Sequence, residues 1–342
     1  MLRFDSDYME TAHPKILEKL VEINFDKNTS YGFDSYSESA REKIRKACGC
    51  PDALVHFLAG GTQTNKVAID ALAESYEAVV CASTGHIATH ETGAIEACGH
   101  KVITLEGEYG KLLPEALGKY MKDFYSDENH EHAAQPGLVY ISFPTEYGTV
   151  YSKDELMQLR KICDEYSLRL YVDGARLGYG LAARGCDVTL RDLAGLTDAF
   201  YIGGTKVGAM IGEALVVPKP DSVKKLFVQV KRHGALLAKG WVAGVQFDTL
   251  FSDNLYFDIS KNAVDNAMYL RDGLCALGYE FYLDSPTNQQ FIVIENEKLE
   301  KIKDKVGYSF WENIDGEHTV IRFATSWATE KSQVDELLTL LG

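Results

Sequence analysis

Leu168–Arg176, LRLYVDGAR, and Phe200–Val217, FYIGGTKVGAMIGEALVV, are the two stretches that decide how this chain folds. The first is a short apolar run that stops at Asp-Gly, the pattern of a buried strand entering a turn. The second opens within an apolar run, Ala199–Ile202, followed by glycines around Lys206 and then a second run over Glu213–Val217. The gap is too short for a crossover helix, so one of these two strands is expected to run antiparallel.

Working outward, short apolar runs recur at Leu54–Leu58, Ala78–Cys81, Val102–Leu105, Leu138–Phe143 and Leu168–Val172. Helical patterns lie between them, over Thr64–Tyr76, His90–Ala97 and Lys153–Glu165. This alternation predicts an α/β fold with a mainly parallel, seven-stranded, doubly wound sheet. From about Phe247 the texture changes. A helical pattern over Ile259–Leu277 leads to strands near Gln290–Glu295, Tyr308–Glu312 and Val320–Ala324, and a helix over Glu330–Leu341. The expected division is a large domain, residues 1–246 with the N-terminal segment, and a small α+β domain, residues 247–342. Asp26–Ser39 is polar and turn-rich and reads as an exposed loop before the first packed helix.

Composition excludes several functions. The 342 residues carry a formal net charge of −15, which argues against a nucleic-acid partner, since such proteins present a basic face. No apolar run approaches the roughly 20 residues that cross a bilayer, and the first residues hold no apolar leader core. The seven cysteines form no paired CxxC motifs, so a zinc site is not expected; reduced thiols in a cytoplasmic protein are.

Four features carry chemistry. Gly60–Asn65, GGTQTN, joins a strand to a helix, where glycines and free amides suit a phosphate. The same letters also describe a common capped turn. Asp173 ends a buried strand and so faces the crevice where open α/β sheets bind ligands; equally, it could cap a turn with Arg176 as partner. Lys206 follows another buried strand, in a small-residue loop where burial would lower its pKa and free its amine for covalent work, with Thr205 beside it to bond a phosphate. Arg322, in IRFATSW, has the planar fork that captures a carboxylate, although an outward-facing arginine on an edge strand reads the same way. Together these residues match what pyridoxal phosphate requires. They provide a phosphate cradle, an acid to keep the ring nitrogen protonated, a lysine 33 positions later and a carboxylate receptor.

The chain resembles the threonine aldolase and β-eliminating lyase family of fold type I pyridoxal-phosphate enzymes, above all its bacterial low-specificity L-threonine aldolases. The likeness runs from FDSD to IRFATSW. SYGFDSYSE, GGTQTN, GHIATHETGA, HAAQPGLVYISFPTEYGTVYS, LYVDGARLG, GGTKVGAMIGEALV and KRHGALLAKG carry it. The resemblance implies that Lys206 is the Schiff-base lysine and Asp173 the partner of the ring nitrogen. It gives Arg176 to cofactor or carboxylate, and Gly61 and Thr62 to the phosphate. His86 would stack on the ring and take a proton from a substrate hydroxyl. Ser6 and Arg322 would receive the substrate carboxylate, and His132 would be a second active-site histidine. Tyr31 and Lys231 would reach a neighbouring subunit's site, in a homodimer or homotetramer. The chain departs from the family at Pro144–Thr145–Glu146, where many members carry a T-H-N type segment.

The activity the resemblance implies is retro-aldol cleavage of L-threonine and L-allo-threonine to glycine and an aldehyde. The four features alone are shared with pyridoxal-phosphate enzymes that catalyse β-elimination, transamination or racemisation. A protein that binds the cofactor without catalysis would have no need of Asp173. A dinucleotide oxidoreductase would need a G-x-G-x-x-G turn after its first strand, which this chain lacks.

Overall fold

The computed structural model describes residues 1–223 and 225–342. A short first strand, β1 (Leu2–Arg3), precedes seven strands that share one sheet: β2 (Leu54–Leu58), β3 (Glu77–Ala82), β4 (Val102–Leu105), β5 (Gln135–Ser142), β6 (Arg169–Asp173), β7 (Ala199–Gly203) and β8 (Glu213–Val217). Their order is β2-β8-β7-β6-β5-β3-β4. β8 alone is antiparallel, pairing with β7 and β2, while the other neighbours pair in parallel. The antiparallel strand expected from the short gap is therefore β8.

Both faces of the sheet are covered, and the sequence shows why. Along β5, Val139 and Ile141 enter one apolar cluster and Leu138 and Tyr140 the other, the period of two that a pleated strand imposes. The same split separates Leu170 and Val172 from Tyr171 in β6. Asp173 follows on the Tyr171 side.

A four-stranded antiparallel sheet follows, built from β9 (Glu280–Phe281), β10 (Gln289–Glu295), β12 (Ser309–Asn313) and β13 (His318–Ala324) in the order β12-β13-β10-β9. The short β11 (Val306–Gly307) instead pairs in parallel with β1. Phe4 is buried in the core of this second sheet, and its carbonyl accepts the Ala324 amide at 2.7 Å. The N-terminal residues are thereby tied to the small domain, which anchors Ser6 and Asp7. We propose that the chain divides near 246/247, within the helix Trp241–Leu250, which packs on the helices Ser35–Cys48 and Pro14–Glu22 of the large unit.

Three local expectations change. The helix expected over His90–Ala97 is only one turn, His86–Thr89, and a 3-10 turn, Glu96–Cys98, because Thr92 (φ 53°) and Gly93 (φ 71°) take left-handed conformations between them. The helix expected from Thr64 begins at Gly61, so Gly61 and Thr62 lie in its first turn. The loop expected over 26–39 ends earlier. Asp34 caps a helix that starts at Ser35, accepting the Ser37 amide at 2.8 Å, and the helix Pro14–Glu22 already precedes the loop.

Candidate active site

Strand order reverses between β3 and β5: β4 lies on one side of β3, and β5, β6 and β7 step away on the other. Crevices at such switch points, beyond the carboxyl ends of the strands, are where open α/β sheets take ligands. A cavity of about 280 Å³ opens there. Lys206, Asp173, His86, Arg176, Thr205, Gly61 and Thr62 all line it.

Register explains the convergence. Ser142 pairs with Asp173 across β5 and β6, and Gly203 pairs with Glu213 across β7 and β8. Because β8 runs backwards, its first residue reaches the edge where its neighbours end. Behind Asp173, the turn to Arg176 packs close against β7: the Gly203 amide donates to the Gly174 carbonyl at 2.9 Å, and a Cβ on Gly174 would collide with the Tyr201 carbonyl. That close approach explains the glycine of DGAR.

Asp173 is 4% exposed, and four groups surround its carboxylate. Asn65 Nδ2 and the Tyr140 hydroxyl donate to Oδ2 at 2.9 and 2.7 Å, the Ala175 amide donates to Oδ1 at 3.0 Å, and Tyr201 lies buried beside it. Burial pushes its pKa up, but nearby His86 and these donors outweigh that effect, and the carboxyl stays below its ordinary value. His86 is oriented by Glu91, whose Oε1 lies 2.8 Å from Nδ1 and also accepts from Asn65 at 2.6 Å. Despite burial, its pKa is raised by Glu91 and Asp173.

Lys206 is surrounded by both signs of charge. Burial and Arg176 push its pKa down to about 8, against the pull of Asp7, Asp173 and Glu213. Its ammonium lies 5.6 Å from the Tyr8 ring centroid. Glu213 accepts the Gly204 amide at 3.0 Å, and burial raises its pKa to about 8.

The residues fit pyridoxal phosphate on the geometry of the chain itself. The helix Gly61–Leu72 has no side-chain cap, and a Cβ on Gly60 would meet nothing within 4 Å, so its first amides face open space where an anion can sit. Thr205 and Lys206 line the same cavity, and Asp173 supplies a buried ionised acid for a ring nitrogen.

Arg176 lines the cavity with a partner of its own, and Arg322 and Ser6 are placed differently. Arg176 is held by Asp7 through two hydrogen bonds, Nε to Oδ2 at 2.6 Å and Nη2 to Oδ1 at 3.0 Å, which keep the Asp7 carboxyl near a pKa of about 2. Arg322 stands beside the cavity rather than in its wall. It donates to Gln289, to the Asp5 carbonyl and to Ser309, while its buried Nε has no partner among the described residues. The Ser6 hydroxyl is likewise buried and unpartnered.

His132 must be corrected, because the structure does not bring it to this cavity. It is exposed, on a 3-10 turn just before β5, at the opposite end of the sheet. The eight residues of β5 alone separate the two ends by roughly 25 Å. Tyr31 and Lys231 also lie outside the cavity and pair with each other, the Lys231 ammonium 5.7 Å from the Tyr31 ring centroid.

Sequence reasoning missed Asn65, Glu91, Asp7, Tyr140, Glu146 and Glu213 as parts of the site. Each lies within or beside a quoted motif, but Asn65, Asp7 and Tyr140 act through partners far along the chain, and Glu91 and Glu146 through both near and far ones.

The fold and the cavity define a fold type I enzyme built around a lysine, a buried acid and an anion-binding helix. The chain belongs to the beta-eliminating lyase family, whose model matches residues 3–296. It is 30% identical over 339 residues to a low specificity L-threonine aldolase of Pseudomonas sp. (strain NCIMB 10558), with 98% of this chain and 95% of that protein covered. A threonine aldolase structure from Leishmania major matches with a TM-score of 0.96 at 39% identity, covering 100% of this chain and 98% of that one. The serine palmitoyltransferase of Sphingomonas wittichii shares the fold, with a TM-score of 0.73 at 14% identity over 99% of this chain and 86% of that one.

Proposed function

We propose that this chain is a pyridoxal-phosphate-dependent aldolase that cleaves L-threonine and L-allo-threonine to glycine and acetaldehyde. The observation that carries the reading is that Lys206, Asp173 and the uncapped helix at Gly61 converge on one cavity, in a chain whose similar proteins are threonine aldolases. When bound, pyridoxal phosphate supplies an aldehyde for amine capture and a protonated ring that accepts the electron pair of the breaking Cα–Cβ bond.

The chain's own residues do the rest. The amides of the first helical turn and Thr205 hold the phosphate, while Lys206 supplies the anchoring amine and later a proton. Asp173, fixed by Asn65 and Tyr140, keeps a proton on the ring nitrogen. His86, fixed by Glu91, would lie against the ring. Arg322 Nε and the Ser6 hydroxyl, both buried donors, receive the substrate carboxylate. Arg176, neutralised by Asp7, mainly shapes that wall.

Arg322→Ala is expected to raise KM for L-threonine about 10- to 100-fold, the scale of one charge-assisted hydrogen bond, with a smaller change in kcat. Steady-state kinetics across threonine concentration check this. Capture of added cofactor by cofactor-free protein is expected to accelerate as pH rises from 6 through about 8 and then to level off, because only neutral Lys206 reacts. Stopped-flow absorbance at several pH values measures it. A rate independent of pH over that range would contradict the role of Lys206.

Assay of both threonine diastereomers tests the function itself. Equimolar glycine and acetaldehyde support the aldolase, whereas pyruvate-type keto acid and ammonia would support β-elimination.

We further propose that the enzyme is cytoplasmic and works as a homodimer or homotetramer. Seven unpaired cysteines support the first statement. An exposed apolar patch supports the second, since the rings of Phe33 and Phe227 pair 5.8 Å apart on the surface, each substantially exposed. Tyr31 and Lys231 adjoin this patch, and His132 would meet a site only across subunits.

A further inference from the structure

We propose that Glu146 is the base that takes the β-hydroxyl proton of the amino-acid substrate, an assignment that rests on the aldolase reading above. Cleavage of the Cα–Cβ bond needs such a group, and within one chain His132 lies at the far end of the sheet. His86 is assigned to the ring face, with its Nδ1 held by Glu91 at 2.8 Å, and its backbone amide donates to Glu146.

Glu146 has the geometry of a held base. It lines the cavity, on the segment that leaves β5 at the switch point, facing the His86 turn that leaves β3. One carboxylate oxygen, Oε1, is pinned by two donors, the Ser142 hydroxyl at 2.6 Å and the His86 amide at 3.0 Å. The other, Oε2, is buried and has no partner among the described residues. A buried acceptor without a partner is costly, so it is expected to be kept where a ligand satisfies it.

The segment itself is rigid. The Thr145 amide donates to Thr149 O and the Gly148 amide to Thr145 O, both at 2.9 Å, and the Ser285 and Thr287 hydroxyls donate to Gly148 O at 3.2 and 3.0 Å. These last two bonds tie the glutamate to the small domain. Burial and Asp173 raise the pKa of Glu146, against Ser142 and His86; Tyr140 and Cys81 also face it. A carboxylate so raised is a stronger base than an ordinary one.

The step balances. Oε2 takes the proton of the β-hydroxyl, and the electron pair of that O–H bond becomes the second bond of the aldehyde carbonyl. The Cα–Cβ bond breaks and its pair stays with Cα, a charge that bound pyridoxal phosphate would stabilise. Lys206 then protonates Cα, giving glycine. The proton on Glu146 passes to solvent as the aldehyde leaves, and Lys206 regains one from solvent, so no net proton is consumed.

The test compares two reactions of the cofactor-loaded protein. Cleavage of L-threonine needs a β-oxygen base; exchange of a glycine α-proton for deuterium, followed by NMR, does not. Glu146→Gln is expected to lower kcat for threonine about 100- to 1,000-fold while cofactor absorbance and glycine exchange stay close to wild type. Glu146→Asp, which keeps the carboxylate, is expected to recover part of the cleavage. Equal loss of cleavage and exchange in Glu146→Gln would overturn the proposal by showing that the residue only supports the site, and undiminished cleavage would overturn it outright. A wild-type protein that exchanges glycine but releases no aldehyde from threonine would instead overturn the aldolase reading beneath it.

Discussion

Lys206→Ala is expected to abolish the visible absorbance of bound cofactor and to lower aldehyde release from L-threonine by about 10⁴-fold or more, the scale of removing a covalent catalytic group. The loss should be chemical, not structural. Lys206 is a buried base whose pKa is pushed below its ordinary value by burial and Arg176, so the fold holds its proton less well than the unfolded chain does. Its contribution to stability therefore rises with pH, across the window from about 8 to the ordinary lysine value near 10.5. Below that window the fold carries a strained cation, and alanine relieves it. Thermal unfolding of cofactor-free Lys206→Ala at pH 7 is accordingly expected no lower than that of cofactor-free wild type. A variant that unfolds early would show that the lysine mainly supports the fold.

Asp173→Asn is expected to cost about 100- to 1,000-fold in kcat, comparable with losing one preorganised electrostatic stabiliser. The amide is nearly isosteric but carries no charge, so it cannot hold a proton on the ring nitrogen. Its nitrogen would also face a donor whichever way the amide turned, the Ala175 amide in place of Oδ1 or Asn65 and Tyr140 in place of Oδ2. Some of the loss is thus expected as weaker cofactor binding, since the mismatch sits in the wall of the cavity. Spectrophotometric titration with pyridoxal phosphate separates the two effects. Wild-type turnover in Asp173→Asn would show that the acid is not the partner of the ring.

These predictions draw unevenly on what a sequence can reveal. The sheet was legible because each strand is a short apolar run closed by its own turn residues, and the helix Lys153–Glu165 was legible because Ser152 and Glu155 form a capping box. That one of β7 and β8 runs antiparallel followed from the short gap between them, whereas which of the two does so did not. Lys206 and Asp173 stood out because strand ends followed by glycine leave little choice of position. The second layer of the site was hidden for a physical reason. Asp7 meets Arg176 across 169 residues, and Asn65 meets Asp173 across 108, so no local pattern announces either pair. Glu146 lay at the recorded departure from the family, yet only the register of β5 against β6 shows that its anchor, Ser142, neighbours Asp173. His132 misled because a histidine-containing loop was matched by motif without regard to which end of the sheet it occupies. The interruption at Thr92 and Gly93 was missed because helical periodicity ignores left-handed residues; that break lies next to Glu91, which reaches Asn65 and His86.

The most direct check is to load the protein with pyridoxal phosphate, reduce it with borohydride and map the modified peptide by mass spectrometry. The cofactor is expected on one peptide, covalently fixed to Lys206. Attachment to another lysine, or none at all, would contradict the account.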